Sequence, residues 1–286
     1  MPTTPVFALR SASLLLSAVV LTACTSAGSG TSGSARGFSL GAEVQHVHGI
    51  VANPSGDGWI LGTHHGVVYV SGAGEVESVG PVLDFMGFSD AGEGRLVASG
   101  HPGPETDMPD PVGLIESTDG GHTWELLSRV GESDFHALAA TEETVIGFDD
   151  ALRATDDGQE WYDLDPEVQA LGLAVSKDAE IVLATTQDGL RRSEDGGRSF
   201  AQTNGTPPLV FIDWVPGTDT VYGIDVGGTV HRSEDIAKSW EPQGTAGEQP
   251  EALHADVDQV VVAVDGTLTV SSDEGQTFDE VNLKDS

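Results

Sequence analysis

The sequence predicts an all-β fold, a six-bladed β-propeller of four-stranded antiparallel blades. The 286 residues include 37 glycines and 14 prolines, a turn-rich composition that does not suit a helical bundle. Short apolar or alternating segments such as 180–186 lie between turn signals, and no stretch shows sustained helical periodicity. Five related segments recur at intervals of 37, 39, 40 and 38 residues, and this spacing is typical of propeller blades.

The repeated segment has the pattern Ser-x-Asp-x-Gly-x-Thr-Trp/Phe. Its aspartate can accept hydrogen bonds from backbone N–H groups, its glycine can adopt a positive φ, and its aromatic ring can be buried between sheets. The fourth copy has Ala237 in place of the glycine. The repeated aspartates are Asp119, Asp156, Asp195, Asp235 and Asp273. We therefore expect one structural turn per repeat, joining the third and fourth strands of a blade.

This pattern resembles the Asp-box, or BNR repeat, of sialidases, sortilin-type receptors and photosystem II assembly factors. The resemblance implies a propeller over essentially all of residues 45–283. It implies little about activity, because propellers with this repeat carry unrelated functions. A sialidase holds its substrate with three arginines and uses a tyrosine nucleophile. In this chain Arg153, Arg192 and Arg232 directly precede repeats, in outer strands, so the sialidase apparatus is not expected.

The spacing divides the chain into six blades. The first covers 45–79, the second covers 84–128 with an insertion at 102–111, and the others begin near 134, 169, 209 and 251. Seven blades, the alternative, would need a set of strands that the sequence does not show. Residues 38–43 are predicted to supply a closing strand to the last blade.

The first 37 residues predict export and attachment. An apolar run of 13 residues after Arg10 is too short to span a bilayer and is typical of a signal peptide. It ends in Leu-Thr-Ala-Cys24, which resembles the lipobox of bacterial lipoproteins and implies cleavage before Cys24 and acylation of that residue. Together with the repeat, this is similar to a bacterial group labelled glycosyl hydrolases or exo-α-sialidases. We expect a signal peptide (1–23), a lipidated Ser/Gly-rich tether (24–37) and a propeller (38–286), anchored on the outer face of the cytoplasmic membrane.

Charge and cysteine content exclude several function classes. Lys and Arg total 12 against 46 Asp and Glu, a formal charge of −34, which argues against nucleic acid and anionic lipid as partners. We expect membrane contact through the N-terminal lipid alone, and a monomer. Cys24 is the single cysteine, so a disulfide framework and a thiolate zinc cluster are both excluded.

The histidines are predicted to collect at one mouth of the central channel. In a propeller the first strand of each blade lines the channel and begins on the face that carries the loop between the second and third strands. The repeats lie on the opposite face. Six of the nine histidines map to the first face: His46, His48, His64, His65, His101 and His136. Asp84, Asp134, Glu105, Asp107, Asp110, Met86 and Met108 map there as well.

This set predicts ligand binding, with a transition metal as one candidate. Imidazoles with carboxylates suit zinc or copper, and a methionine favours copper; His48, His136, His46 and His101 are the predicted metal ligands. The alternative at the same mouth is a network of hydrogen bonds that closes the channel. A glycoside hydrolase with paired carboxylates from Asp84, Asp134 or Glu105 is a second function class. A protein-interaction or assembly module is a third.

Overall fold

Each block of the repeat folds as one antiparallel sheet, and six sheets form a β-propeller in the computed structural model, which describes residues 46–285. Blade 1 has β1 (Val47–Ala52), β2 (Trp59–Thr63), β3 (Gly66–Val70) and β4 (Glu75–Val79). Blade 2 has β5 (Leu83–Asp90), β6 (Leu96–Pro102), β7 (Leu114–Ser117) and β8 (Glu125–Ser128). Blade 3 has β9 (Ala137–Ala140), β10 (Val145–Phe148), β11 (Leu152–Thr155) and β12 (Tyr162–Asp163).

The second half repeats this arrangement. Blade 4 has β13 (Gly172–Val175), β14 (Val182–Thr186), β15 (Gly189–Ser193) and β16 (Ala201–Gln202). Blade 5 has β17 (Leu209–Trp214), β18 (Val221–Asp225), β19 (Thr229–Ser233) and β20 (Glu241–Thr245). Blade 6 has β21 (Pro250–Ala255), β22 (Val260–Val264), β23 (Thr267–Ser271) and β24 (Asp279–Glu280), and β25 (Lys284–Asp285) follows.

The prediction of six four-stranded blades is confirmed, although two boundaries differ. The first strands of blades 3 and 4 begin at Ala137 and Gly172, three residues after the expected positions, because the preceding residues serve as connections. The predicted lipobox, tether and closing strand at 38–43 lie outside the described residues. Within 46–285, none of the chain forms a helix with the length and apolar character needed to cross a membrane.

Six hydrophobic cores fill the gaps between neighbouring blades. Between blades 6 and 1, for example, Ile50 and Leu61 pack with Ala252 and Val261. The aromatic residue that ends each repeat packs against one of these cores, as the sequence predicts: Trp124, Trp161, Phe200, Trp240 and Phe278. Burial of these rings couples every turn to the sheet beside it.

The repeats form the predicted turns between third and fourth strands. The Ser117 hydroxyl donates to Asp119 Oδ1 at 2.8 Å, and the same oxygen accepts the Thr123 backbone N–H at 2.9 Å. Asp195, Asp235 and Asp273 make equivalent contacts. In the fourth copy Ala237 adopts a φ of 60° where the other copies have glycine.

In blade 3 the structural aspartate is Asp157, a correction to the expected Asp156. The Thr155 hydroxyl donates to Asp157 Oδ1 at 3.1 Å, and the backbone N–H groups of Gln159 and Glu160 donate to that oxygen at 2.8 Å. Asp156 instead accepts a hydrogen bond from the Thr144 hydroxyl. Thr155 takes the place of the repeat's serine. It lies one residue closer to the aromatic residue, Trp161, than the serine does in the other copies, so this turn is one residue shorter.

The ring closes through the C-terminus. Strand β25 pairs in parallel with β4 at the outer edge of blade 1, so blade 1 has five strands. At the inner edge, the backbone N–H of Val47 donates to Glu251 Oε2 at 2.9 Å, which joins blade 1 to blade 6. The first and last blades are therefore connected at the inner and the outer edge of the ring.

A register shift recurs at one end of the inner strands. It falls between Val47 and Gly49 in β1, and at the corresponding points in β5, β17 and β21. The unpaired residues are His48, Met86, Val210 and Glu251. In blades 3 and 4 the residues at the same level, His136 and Leu171, directly precede the strand. A β-bulge re-aims a side chain that would otherwise follow the strand alternation. We call these six residues the bulge ring.

Candidate ligand-binding site at the histidine mouth

Three neighbouring blades bring histidines and carboxylates together at the predicted end of the channel. The set, called the histidine mouth here, comprises His46, His48, His64, Asp84, His101, Asp134 and His136. His48 is the bulge residue of β1, and His64 lies in the turn between β2 and β3. Asp84 and His101 are directly opposite each other on β5 and β6. The prediction that separate segments converge here is in accord with this geometry.

The blade 1 half of the mouth is a stack of imidazoles. The ring centroid of His64 lies 5.1 Å from that of His46 and 4.7 Å from that of His48. His64 Nδ1 lies 2.9 Å from Asp84 Oδ1. That pair is close but poorly aligned for a hydrogen bond, since Asp84 Oδ1 has no hydrogen-bond partner among the described residues.

The other half is a chain of polar contacts between blades 2 and 3. His101 Nδ1 lies 2.6 Å from Asp110 Oδ1, and His101 Nε2 lies 3.1 Å from Asp134 Oδ2. His136 Nε2 approaches that same oxygen of Asp134 at 3.0 Å. His101 thus ties the insertion at 102–111, through Asp110, to the connection that leads into blade 3, through Asp134.

The imidazoles are divided into two electrostatic types. Burial lowers the pKa of His48 to about 4, with a further lowering by His64 that Asp84 only partly opposes. His48 is therefore neutral at neutral pH. The hydrogen bond to Asp110 raises the pKa of His101, and the hydrogen bond to Asp134 raises that of His136, against the opposing effect of burial. Burial alone would raise the pKa of Asp134, but its two histidine partners outweigh this and lower it.

Several polar atoms of the mouth have no partner. His48 Nε2, Asp84 Oδ1 and Asp134 Oδ1 are buried, and none makes a hydrogen bond among residues 46–285. Unpaired buried polar groups are unfavourable, by about 1–3 kcal/mol each, and are scarce in folded proteins. Three of them at one mouth indicate that its own side chains do not form a closed hydrogen-bond network in this arrangement.

Below the mouth the channel forms a cavity of about 490 Å³. His48 and His136 lie at its rim, and every inner strand contributes to its wall. At mid-depth the wall is apolar, with one residue from each blade: Ile50, Phe88, Leu138, Leu173, Ile212 and Leu253. The lining also includes the charged or polar side chains of Lys177, Asp213 and His254. A concave space with apolar walls and a few convergent polar groups is the usual form of a small-molecule site.

Some predicted residues lie apart from this centre. His65 is exposed at the turn, and its ring makes no hydrogen bond or ion pair in the described part of the chain. Glu105 and Asp107 are exposed on the insertion and likewise form no such contact within residues 46–285. Met86 occupies the bulge ring, whereas Met108 packs against the core between blades 1 and 2.

The predicted metal centre has no assembled ligand set. Within residues 46–285, no three His, Cys, Asp or Glu side chains form a group that could hold a metal ion. The reason is visible in the contacts, because His101 and His136 direct ring nitrogens at a carboxylate, and His64 stacks on its neighbours. The nitrogens of His101 and His136 converge on one oxygen of Asp134, so a carboxylate lies where these two residues would otherwise bind a metal ion.

Sequence reasoning missed a second polar cluster in the channel wall. His254 Nδ1 lies 3.3 Å from Asp213 Oδ2, and His254 Nε2 lies 3.7 Å from Asp256 Oδ2. Asp213 Oδ2 also accepts the backbone N–H of Ala255, which joins blade 5 to blade 6. The signal was that Asp213 and His254 occupy equivalent places in adjacent inner strands.

Comparison with known proteins supports the fold. No known family model matches the chain, and no curated protein matches it. A chain in the crystal structure of a nidogen/laminin complex is similar, with a TM-score of 0.62 and 11% identity over 77% of this chain and 91% of that one. PorZ, described as an essential surface component of the type-IX secretion system of Porphyromonas gingivalis, has a TM-score of 0.53 and 9% identity.

The PorZ match covers 82% of this chain but only 32% of PorZ, so this chain spans about a third of that protein. At these identities the likeness concerns the fold alone. No matching family model supports the resemblance to Asp-box or sialidase-like proteins. The strand order and the solved structures agree on one conclusion: the described chain is a six-bladed β-propeller.

Proposed function

We propose that this protein is a lipid-anchored ligand-capture module that binds a small molecule at the histidine mouth. The observation that supports this most is the cavity of about 490 Å³, whose rim carries His48 and His136 from different blades. Unpartnered atoms of His48, Asp84 and Asp134 lie at the same end. A hydrogen-bonded plug, the alternative for these histidines, would satisfy its own polar atoms, and this mouth does not.

A transition metal is the second candidate ligand. Zinc and copper favour imidazole nitrogen, and His46, His48, His101 and His136 remain the residues that would supply it. Metal binding would require His101 and His136 to turn away from Asp134, which is why an organic ligand ranks first. Stoichiometric zinc or copper in the purified protein, lost in His48→Ala, would reverse this order.

Hydrolysis of a glycoside finds less support at this mouth. A general acid must hold a proton at the working pH, and this requires a raised carboxyl pKa. Asp134 has a lowered pKa and two histidine partners. The fold also fits a protein-interaction module, which would use the same face but would not need the cavity.

The test is a ligand screen on matched variants. Thermal-shift measurements on the wild-type protein would use a panel of amines, zwitterions, sugars, carboxylates, Zn²⁺ and Cu²⁺. Ligands that raise the wild-type Tm should also raise that of His122→Ala, a histidine change in a turn on the opposite face, and should not raise that of His48→Ala. A ligand whose effect survives in His48→Ala and Asp134→Asn would contradict binding at this mouth.

The anchor is tested separately. Intact-mass spectrometry of protein extracted from the membrane fraction of a bacterial expression host should show a chain that begins at a lipidated Cys24. A soluble protein that retains residues 1–23, or a Cys24→Ala variant that stays in the membrane fraction, would contradict the lipid anchor without affecting the proposed site.

A further inference from the structure

We infer that the ligand of the histidine mouth is an amphipathic organic cation, an amine or guanidinium on an apolar body. This rests on the proposed function and adds the chemical class of the ligand. Three features of the site support it: the balance of charge at the rim, the kind of hydrogen-bonding atom left open there, and the composition of the wall beneath.

The rim carries several carboxylates, and among the described residues its only basic side chains are histidines. Asp84, Asp110 and Asp134 lie in or beside the mouth, and Glu251 of the bulge ring borders it. Their ion pairs are with histidines alone, and no lysine or arginine pairs with any of them in the described structure. A cation entering the mouth therefore meets carboxylates that no permanently charged side chain neutralises, whereas a carboxylate ligand would be repelled.

The open atoms of the rim are mainly acceptors. Asp84 and Asp134 each keep one buried oxygen without a hydrogen-bond partner, on side chains that are 38% and 21% exposed, so a rotation of either carboxylate would present that oxygen to a ligand. His48 is neutral, so it does not repel a cation. One nitrogen of a neutral imidazole is a hydrogen-bond acceptor. An ammonium group carries three N–H donors and a guanidinium five, and both groups match a set of acceptors. A ligand whose polar group only accepts hydrogen bonds does not match them.

The wall beneath the rim selects the rest of the ligand. Six apolar residues, one from each blade, surround the cavity at mid-depth. Leu171 of the bulge ring is 52% exposed, so apolar surface continues up to the mouth. A metal ion or a small hydrophilic cation would leave this surface unused, whereas an alkyl or aryl body would bury against it. The apolar body lies in the channel, and the charged group lies at the rim.

Titration calorimetry on the wild-type protein tests this with three matched series. Ethyl-, butyl- and hexylamine would be compared with n-alkanols and n-alkanoates of equal length. Amine affinity should increase about fourfold for each added methylene that enters the channel. Alkanols should bind about tenfold more weakly than the amines, because they lack the charge-assisted hydrogen bonds. Alkanoates should bind more weakly still.

Charge-neutral variants locate the binding site. Asp84→Asn and Asp134→Asn should each weaken amine binding about tenfold and reduce the difference between amines and alkanols. Asp258→Asn removes the same charge from an exposed turn on the opposite face and should leave binding unchanged. Far-UV circular dichroism and the Tm show whether each variant is folded, and two separate mouth variants keep the test valid if one of them is not.

The outcomes separate this inference from the proposed function. Alkanols or alkanoates that bind as tightly as amines, or amine binding that is insensitive to Asp84 and Asp134, would overturn the ligand class. If such neutral or anionic ligands still lose their binding in His48→Ala, the proposed site stands. If no series binds and no other member of the ligand panel responds to His48→Ala, both proposals are wrong.

Discussion

At the scale of single residues, His254 is a buried charge held between two carboxylates. Its side chain is 12% exposed. Burial lowers its pKa, but the hydrogen bond to Asp213 and the attraction of Asp256 outweigh this and raise the pKa to about 9. The 3.7 Å contact with Asp256 is longer than a hydrogen bond, so it contributes as charge attraction. Asp256 responds in the opposite sense, with a pKa lowered to about 2.

His254 makes stability depend on pH in a defined window. Below pH 6.5 both folded and unfolded chains hold the proton, and the stabilisation is complete. It is lost as the pH rises from 6.5 to about 9, where the folded state also releases the proton. The loss amounts to at most about 3 kcal/mol. Urea denaturation at pH 6, 7.5 and 9 should show this loss in the free energy of unfolding for the wild type and for His122→Gln, and a much smaller loss for His254→Gln. If the free energy of unfolding changed equally with pH in all three proteins, this role of His254 would be contradicted.

Two adjacent glycines of the first repeat separate backbone strain from packing. Gly120 and Gly121 have φ of 74° and 91°. A Cβ on Gly120 meets nothing within 4 Å, whereas one on Gly121 would lie 2.8 Å from Val67 Cγ2. Gly120→Ala should therefore lower the free energy of unfolding by about 1 kcal/mol from strain alone. Gly121→Ala should cost about 1–3 kcal/mol more, from overpacking. Thermal denaturation of both variants measures the difference, and equal losses would argue against a tight contact at Val67.

At the scale of elements, the turn of blade 3 offers two adjacent aspartates with different roles. Asp157→Ala removes the acceptor of two backbone N–H groups and one hydroxyl, and should lower the Tm. Asp156→Ala removes contacts with the Thr144 and Tyr162 hydroxyls and should lower it less. Differential scanning calorimetry gives the order. A larger decrease in Tm for Asp156→Ala than for Asp157→Ala would mean that Asp156 is the structural aspartate of this turn.

The same turn shows what the pattern could and could not predict. The spacing of the five copies predicted the length of a blade, and the chain accommodates six blades of that length. In blade 3 the sequence has consecutive aspartates before a glycine, and only the hydrogen bonds determine which one faces the backbone. The residues of the mouth were predictable from strand direction, since topology places strand starts and second turns on one face. The ring orientations were not, because they depend on which carboxylate each imidazole reaches.

The bulges were also invisible in the sequence. The four unpaired residues are His48, Met86, Val210 and Glu251, which share no side-chain property. A bulge is specified by backbone geometry on both strands, and a single chain without a constant residue at the bulge gives no local signal for it.

At the scale of the whole molecule, the ring depends on its last strand. Lys284 donates its backbone N–H to the Gly74 carbonyl at 2.7 Å, and Leu283 packs against the core between blades 6 and 1. Gly74 permits this approach, since a Cβ there would lie 2.2 Å from the Asn282 carbonyl oxygen. The outer closure of the ring is therefore non-covalent and confined to a few residues.

Removal of residues 283–286 should weaken this closure. We expect a loss of about 2 kcal/mol in the free energy of unfolding, from the burial of Leu283 and the backbone hydrogen bonds of β25. Leu283→Ala should show part of the loss, and Leu126→Ala, at an exposed leucine of blade 2, little. Urea denaturation measures all three. An unchanged midpoint after truncation would mean that the contact of Val47 with Glu251 and the core between blades 6 and 1 hold the ring without β25.

The bulge ring also has a meaning for how this scaffold could diversify. A residue outside the hydrogen-bond ladder can change without loss of a strand pair, and an imidazole, a thioether, a branched alkyl group and a carboxylate already occupy these places. Five of these six positions could therefore be varied in combination while the sheets that hold them remain intact; the exception is Glu251, whose carboxylate accepts the Val47 N–H that joins blade 1 to blade 6. Selection from such a library would change what the opening accepts at little cost in folding, and the channel could be redirected to new ligands one rim position at a time.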